Sequence, residues 1–137
     1  MFRKVAIFLV MFSALAGAAR SWGEEGGAAA SGVQYIYFEP AFVINFGSEG
    51  RMRYLRTEIA LLVGSADAAA KVSQHKPSLR NALVFMLSAQ EPETVNTSQG
   101  REMIRKQALE AVRQTMVRLE GMAYVDDLFF NTFVVQN

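Results

Sequence analysis

The sequence has no cysteine and a single histidine, His75, among its 137 residues. The absence of cysteine excludes disulfide bonds, thiolate zinc sites, iron–sulfur clusters, cysteine nucleophiles and a lipid anchor on cysteine. One histidine cannot form the His-x-x-x-His pair of zinc enzymes, and neither a P-loop nor a Gly-x-Gly-x-x-Gly fingerprint occurs. We therefore expect no metal and no cofactor.

The sequence also lacks a large excess of positive or negative charge, because it has 14 Lys and Arg residues and 13 Asp and Glu residues. Nucleic-acid binding needs a concentrated basic face, so we expect no nucleic-acid partner. Hydrophobic residues make up 51% of the chain and charged residues 20%, which excludes general disorder. The length suits one folded domain.

The N-terminal apolar run is short for a membrane span. Val5–Ala19 holds fifteen uncharged residues, about 22 Å as a helix against about 30 Å for a bilayer core. A basic start precedes the run, and Ala16-Gly17-Ala18 offers a cleavage site. Alternatively, Trp22 could sit at the outer interface of an uncleaved anchor. This order of features favours an export signal or a short membrane anchor over residues 1–22, rather than a buried core helix.

Residues 23–32 are dominated by Gly, Ala and Ser, which predicts a flexible tether. The folded domain is then expected over residues 33–137, where 11 basic residues balance 11 acidic ones. Either interpretation of the N-terminus places everything beyond about residue 25 outside the cytoplasm, so we expect a periplasmic domain.

Aromatic and β-branched residues predict a β-hairpin that pairs Tyr35–Phe46 with Met52–Val63. Pro40 interrupts the first arm, and a proline inside a strand marks an edge, a bulge or a bend. The cluster Gly47–Gly50 supplies the turn.

Three helices and a last strand are expected after the hairpin. They are Ala66–His75 with Ser65 as N-cap, Pro77 to about Gln90, Gly100–Glu120 capped by Thr97 or Ser98 and closed by Gly121, and the strand Leu128–Val135. The order β-β-α-α-α-β predicts an α+β fold, a small antiparallel or mixed sheet with helices on one face.

Candidate catalytic residues are scarce. His75 lies at a predicted helix junction, where a solvated imidazole is expected. Asp126 and Asp127 are neighbours in a strand or turn, and strand neighbours point to opposite faces, so they cannot share a substrate. We expect no enzyme, and a small periplasmic hydrolase is the least favoured function.

Arginines are the candidate interface residues. On the hairpin they fit an acidic partner or lipid headgroups, although an edge-strand charge that blocks unwanted pairing explains them better. The candidates on the hairpin and on the long helix are Arg51, Arg53, Arg56, Arg105, Arg113 and Arg118.

Four segments together resemble the FliL family of flagellar basal body-associated proteins. That family has a Pro, Phe-Val, Asn, Gly, Arg-Tyr-Leu opening, a Thr-x-x-Gly helix entry and a terminal Phe-Thr-x-Phe-Val-Ile-Gln strand. The matching segments are Tyr37–Phe46 with Gly50 and Arg53–Leu55, Lys76–Leu83 with Leu87-Ser88, Thr97–Arg105, and Phe130–Gln136. Their order and spacing agree over about residues 35–136.

The resemblance implies a stomatin-like (SPFH-type) periplasmic domain that forms a homo-oligomeric ring around the MotA/MotB stator, close to the basal-body ring. It implies a mechanical role in torque, swimming, swarming and chemotaxis at the inner membrane, with no cofactor. Two features depart from the family, namely the short N-terminal segment and Arg113-Gln114 where an Ile-Asn pair is usual. A generic exported or membrane-tethered stomatin-like scaffold of another envelope complex is the alternative.

Mass spectrometry of the mature protein tests the expected N-terminus. A chain that begins at Ala19 identifies a cleaved signal, and an intact N-terminus in the membrane fraction identifies an anchor. A mature chain that stays in the cytosol would contradict both forms of the prediction.

Overall fold

The computed structural model describes residues 32–47, 50 and 52–136. The predicted export segment, nearly all of the predicted tether and Arg51 lie outside the described residues. In chain order the elements are β1 (Gln34–Tyr37), β2 (Phe42–Phe46), β3 (Arg53–Val63), α1 (Ala66–Gln74), α2 (Lys76–Ser88), α3 (Pro92–Val95), α4 (Ser98–Glu120) and β4 (Val125–Gln136).

Strand β3 is the centre of the sheet, and every other described strand pairs with it in antiparallel orientation. On one side β4 runs along β3 from Tyr54↔Gln136 to Val63↔Val125. On the other side β1 pairs with residues 60–63 and β2 with residues 53–57. The predicted hairpin is therefore confirmed, and so are an α+β fold and a small antiparallel sheet.

The first arm of the hairpin is broken into two strands around Pro40. Four residues lie between β1 and β2, whereas only two lie between their partners Thr57 and Ala60 on β3. The arm must bulge there, as the proline indicated. Arg80 of α2 holds the bulge, because its guanidinium donates to the carbonyl of Pro40 at 2.8 Å and lies 4.2 Å from the ring centroid of Phe42.

The hydrophobic core lies between one face of the sheet and the helices. Alternate side chains of β3 from Leu55 to Val63 are buried on this face, as strand geometry requires. Helices α2 and α4 meet them with fully buried residues at helical spacing, namely Leu79, Leu83 and Leu87, and Ile104, Ala108 and Val112. The one polar residue of the β3 stripe, Thr57, donates its hydroxyl to the carbonyl of Thr132 at 2.6 Å, so its burial leaves no unpaired donor.

Capping side chains set the helix boundaries as predicted. The hydroxyl of Ser65 accepts from the backbone N–H of Ala68, and that of Thr97 accepts from the N–H of Gly100. Helix α4 ends at Glu120 and is capped by Gly121, whose φ of +80° is the left-handed conformation that favours glycine.

The element order β-β-α-α-α-β is wrong in two details. The first predicted strand is two strands, for the reason given above. A one-turn helix, α3, also stands between the second and third predicted helices. Pro92 begins it, and the backbone N–H of Val95 donates to the carbonyl of Glu91. The fully buried side chain of Val95 ties this turn to the core.

His75 is not the solvated imidazole that its sequence position predicted. Its ring and Glu120 are each only 19% exposed, and His75 Nε2 lies 2.6 Å from Glu120 Oε1. Lys71 Nζ lies 3.5 Å from the other carboxylate oxygen. These contacts join the α1–α2 junction to the last turn of α4. Residues 45 positions apart in the sequence form the pair, so local pattern could not reveal it.

Within the described part of the chain, no helix is both long and apolar enough to cross a bilayer.

Glu120→Gln tests the cluster through its pH dependence. The hydrogen bond from His75, and after it the charge of Lys71, hold the pKa of Glu120 below its ordinary value of 4.5. A depressed pKa contributes stability above about pH 4.5, and this stability is lost as the pH falls through the folded-state value. We expect the variant to lower Tm at pH 7 and the difference from the native chain to shrink in acid.

Glu110→Gln is the matched control, since Glu110 is exposed on the same helix. Thermal unfolding followed by circular dichroism measures both variants between pH 7 and pH 3. An equal effect of the two substitutions, or a Glu120 effect that does not change with pH, would contradict the role of the cluster.

Candidate functional site

Helix α4 and strand β4 are joined by charged hydrogen bonds from Arg105. Its Nη1 donates to Asp127 Oδ1 at 2.6 Å and to the carbonyl of Leu128 at 3.2 Å. Its other nitrogens hold the two carboxylate oxygens of Glu102 at 2.6 and 2.8 Å. The bond with Glu102 is the main cause that raises the pKa of Arg105 and lowers the pKa of Glu102. Arg105 therefore has a structural role, and both acidic side chains beside it, Glu102 and Asp127, are hydrogen-bonded to it.

A second arginine repeats this contact two turns along the helix. Arg113 Nη1 donates to the carbonyl of Val125, at the start of β4. The beginning of β4 is consequently held to α4 at two backbone carbonyls, those of Val125 and Leu128. The side chains of the same two residues, Val125 and Leu128, face the core and are fully buried.

The second half of β4 is covered less completely. Phe130, Phe133 and Val135 point towards the core side but are only partly buried. The rings of Phe130 and Phe133 contact each other, with 5.1 Å between their centroids. Their outer surfaces remain available to a ligand.

A cleft of about 320 Å³ lies where the first turns of α4 face this half of β4. Phe129, Phe130 and Phe133 line one side of it, and Ser98, Arg101, Glu102 and Arg105 line the other. Its volume is at the lower end of the range for small-molecule and side-chain pockets. We name it the α4–β4 cleft.

Arg101 gives the α4–β4 cleft its charge. The guanidinium carbon lies 5.2 Å from the centroid of Phe133, within the range of a cation–π contact, and Nε donates to the carbonyl of Val95 at 3.1 Å. No carboxylate of the described residues forms an ion pair with Arg101. Its positive charge is therefore available to an acidic group.

The six predicted interface arginines do not form one surface. Arg53 and Arg56 are on opposite faces of β3, and Arg56 pairs with Glu58 at 3.6 Å. Arg105 and Arg113 lie together on the β4 side of α4, whereas Arg118 is exposed in its last turn. Arg51 is outside the described residues.

Sequence reasoning missed Arg101 and Arg80. Arg101 stands four residues before Arg105, and residues at this spacing share a helix face, so the position of Arg105 in the sequence points to Arg101 as well. Nothing in the sequence marked Arg80, because its partners lie about 40 residues away. Among the described residues, no three His, Asp or Glu side chains group closely enough to hold a metal ion.

Comparison with known proteins gives a family match over the whole described fold. The model of a family described as flagellar basal body-associated protein FliL matches residues 35–136. The flagellar protein FliL of Aquifex aeolicus (strain VF5) is 26% identical over 105 residues, which are 77% of this chain and 62% of that protein. The chain therefore spans less than two thirds of the length of this relative.

Arg105→Gln tests whether the α4–β4 contact is structural. The substitution removes the bonds to Asp127 and Leu128, so we expect the free energy of unfolding to fall by about 1 kcal/mol. Lys106→Gln, an exposed neighbour that loses the same charge, should change it by less than about 0.5 kcal/mol. Urea denaturation measures both, and an Arg105 effect no larger than that of Lys106 would contradict the assignment.

Proposed function

The chain belongs to the FliL family of flagellar basal body-associated proteins, and from this premise we propose that it supports the flagellar motor as a stator-interacting scaffold. The observation that carries the proposal is the family match over residues 35–136, from β1 to the end of β4. The partners proposed are the stator proteins MotA and MotB and the basal-body ring. The processes served are torque generation, swimming, swarming and chemotaxis.

The proposed location is the periplasmic side of the inner membrane. The basic start, apolar run and small residues of residues 1–22 support export, with the segment either cleaved or kept as a short anchor. The Gly-, Ala- and Ser-rich stretch 23–32 would let a domain over residues 33–137 reach its site without rigid coupling to the membrane.

The proposed role is mechanical and non-catalytic, on a domain of stomatin-like (SPFH-type) fold. Family membership supports this, since the family is one of flagellar accessory proteins. The charged groups described above support it as well. Each of four such residues binds another part of the fold, and only Arg105 among them lines the α4–β4 cleft. They are Arg105, Arg113, His75 and Glu120.

We further propose that copies of the chain assemble into a ring. The sheet face away from the helices supplies a surface for such contacts, because several large apolar side chains on it are about half exposed. They are Tyr35, Tyr37, Val43, Tyr54 and Val134. Exposed apolar side chains of this kind are typical of association surfaces. A ring forms when this face of one copy meets a different surface of the next copy with a suitable rotation.

Deletion of the gene tests the motor role. We expect a smaller swimming zone in soft agar and weaker swarming, both restored by the intact gene, because the scaffold would support stator engagement. Unchanged swimming and swarming would contradict the motor role and favour an exported scaffold of another envelope complex.

Two complementing variants refine this test. Tyr37→Glu places a charge on the open sheet face, where Tyr37 is 53% exposed, and should restore motility poorly. Phe85→Glu is the control, since Phe85 of α2 is 72% exposed in the helical layer and should restore it fully. Both variants should keep the native circular dichroism spectrum, because both positions are exposed.

A further inference from the structure

We propose that the α4–β4 cleft, together with the adjoining edge of β4, binds an extended acidic segment of another protein, which adds to the sheet as a strand beside β4. The inference rests on the cleft and on the strand edge, and it holds whether or not the partner is part of a flagellar motor.

The two halves of β4 are protected differently. Near its start, the side chains of Arg105 and Arg113 occupy the carbonyls of Leu128 and Val125. From residue 129 to 136 no side chain of α4 donates to the strand in any contact of the described residues. Among the described strands β4 pairs with β3 alone, so its other edge has no strand partner.

The sequence of this unprotected half is unusual for a free edge. Residues 129–136 contain no charged residue and no proline, and they hold three phenylalanines and two valines. Native sheets normally blunt an exposed edge with lysine, proline or a covering element, because an apolar edge with high β-propensity recruits other chains. An edge that lacks these devices is suited to strand addition by a partner, in which backbone hydrogen bonds supply affinity.

The α4–β4 cleft supplies the specificity that such an edge needs. The partly buried rings of Phe130 and Phe133 offer an apolar surface to alternate side chains of an added strand. Arg101, beside Phe133, forms no ion pair with a carboxylate of the described residues. Arg105, in contrast, forms ion pairs with Glu102 and Asp127. An acidic side chain that enters the cleft would form a charge-assisted hydrogen bond with the guanidinium of Arg101.

Pairing of this edge with the same edge of a second copy fits the site less well. The same half of β4 in a second copy would bring no carboxylate to Arg101, because residues 129–136 contain none. Charge complementarity therefore favours a different protein whose extended segment alternates acidic and apolar residues.

Binding of synthetic peptides to the full 137-residue chain tests the proposal. The probe is a peptide of alternating glutamate and valine, and its counterpart carries lysine in place of glutamate. We expect saturable binding of the glutamate peptide, with changes in the amide NMR signals of residues 129–136 and of the first turns of α4. The lysine peptide should bind about tenfold more weakly or not at all.

A charge reversal separates a specific contact from general attraction. Arg101→Glu should lower the affinity for the glutamate peptide about tenfold and raise the affinity for the lysine peptide. Lys106→Glu makes the same change of charge on the same helix at an exposed residue that does not line the cleft, and it should alter neither affinity. A glutamate peptide methylated on alternate backbone nitrogens should lose binding, because it cannot complete the strand ladder.

Four outcomes would overturn the proposal. They are no saturable binding, equal binding of the two peptides, undiminished binding of the methylated peptide, or self-association of the chain through the β4 edge. This test is independent of the motility test. If the peptide binds and the deletion strain swims normally, the strand-addition proposal stands and the motor role is rejected.

Discussion

Burial of one face of β3 is the constraint on which the rest of the structure depends. This strand pairs with every other described strand, and its side chains from Leu55 to Val63 meet the leucine stripe of α2 and the buried face of α4. A shift of one residue in its register would turn this apolar set to solvent and Arg56 to the core. The position of β4, and hence of the α4–β4 cleft, follows from its pairing with β3 and its contacts with α4.

Elements set by local chemistry could be predicted from the sequence. Ser65, Thr97 and Gly121 act within a few residues of themselves, and the long stripe of α4 has a clear helical period, so their roles were visible without a structure. The effect of Pro40 could be predicted only in part. The pattern indicates that the strand is interrupted there, but not how many residues the bulge contains. The one-turn helix α3 was missed, since four residues provide too little periodicity to detect.

The candidate site was harder to predict, because its parts come from distant positions. Arg105 and Arg113 are predicted interface residues, yet the structure places them against backbone carbonyls of β4 that lie 23 and 12 positions away in the sequence. Arg101 is not among the predicted interface residues, although it lines the cleft and forms no ion pair with a carboxylate of the described residues. Which arginine is engaged depends on the packing of a helix against a strand, and a single sequence does not record that packing.

Gly100 has a consequence for the way this site is held. A β-carbon at that position would lie 1.8 Å from the carbonyl oxygen of Thr94, so the start of α4 touches the backbone of α3 directly. Because the contact is between main-chain atoms, no side-chain rotamer can adjust, and a larger residue at this position would have to displace α3 or the first turn of α4. Arg101 directly follows Gly100, and its Nε donates to the carbonyl of Val95 in α3. The contact between the two backbones therefore also fixes the position of the Arg101 guanidinium.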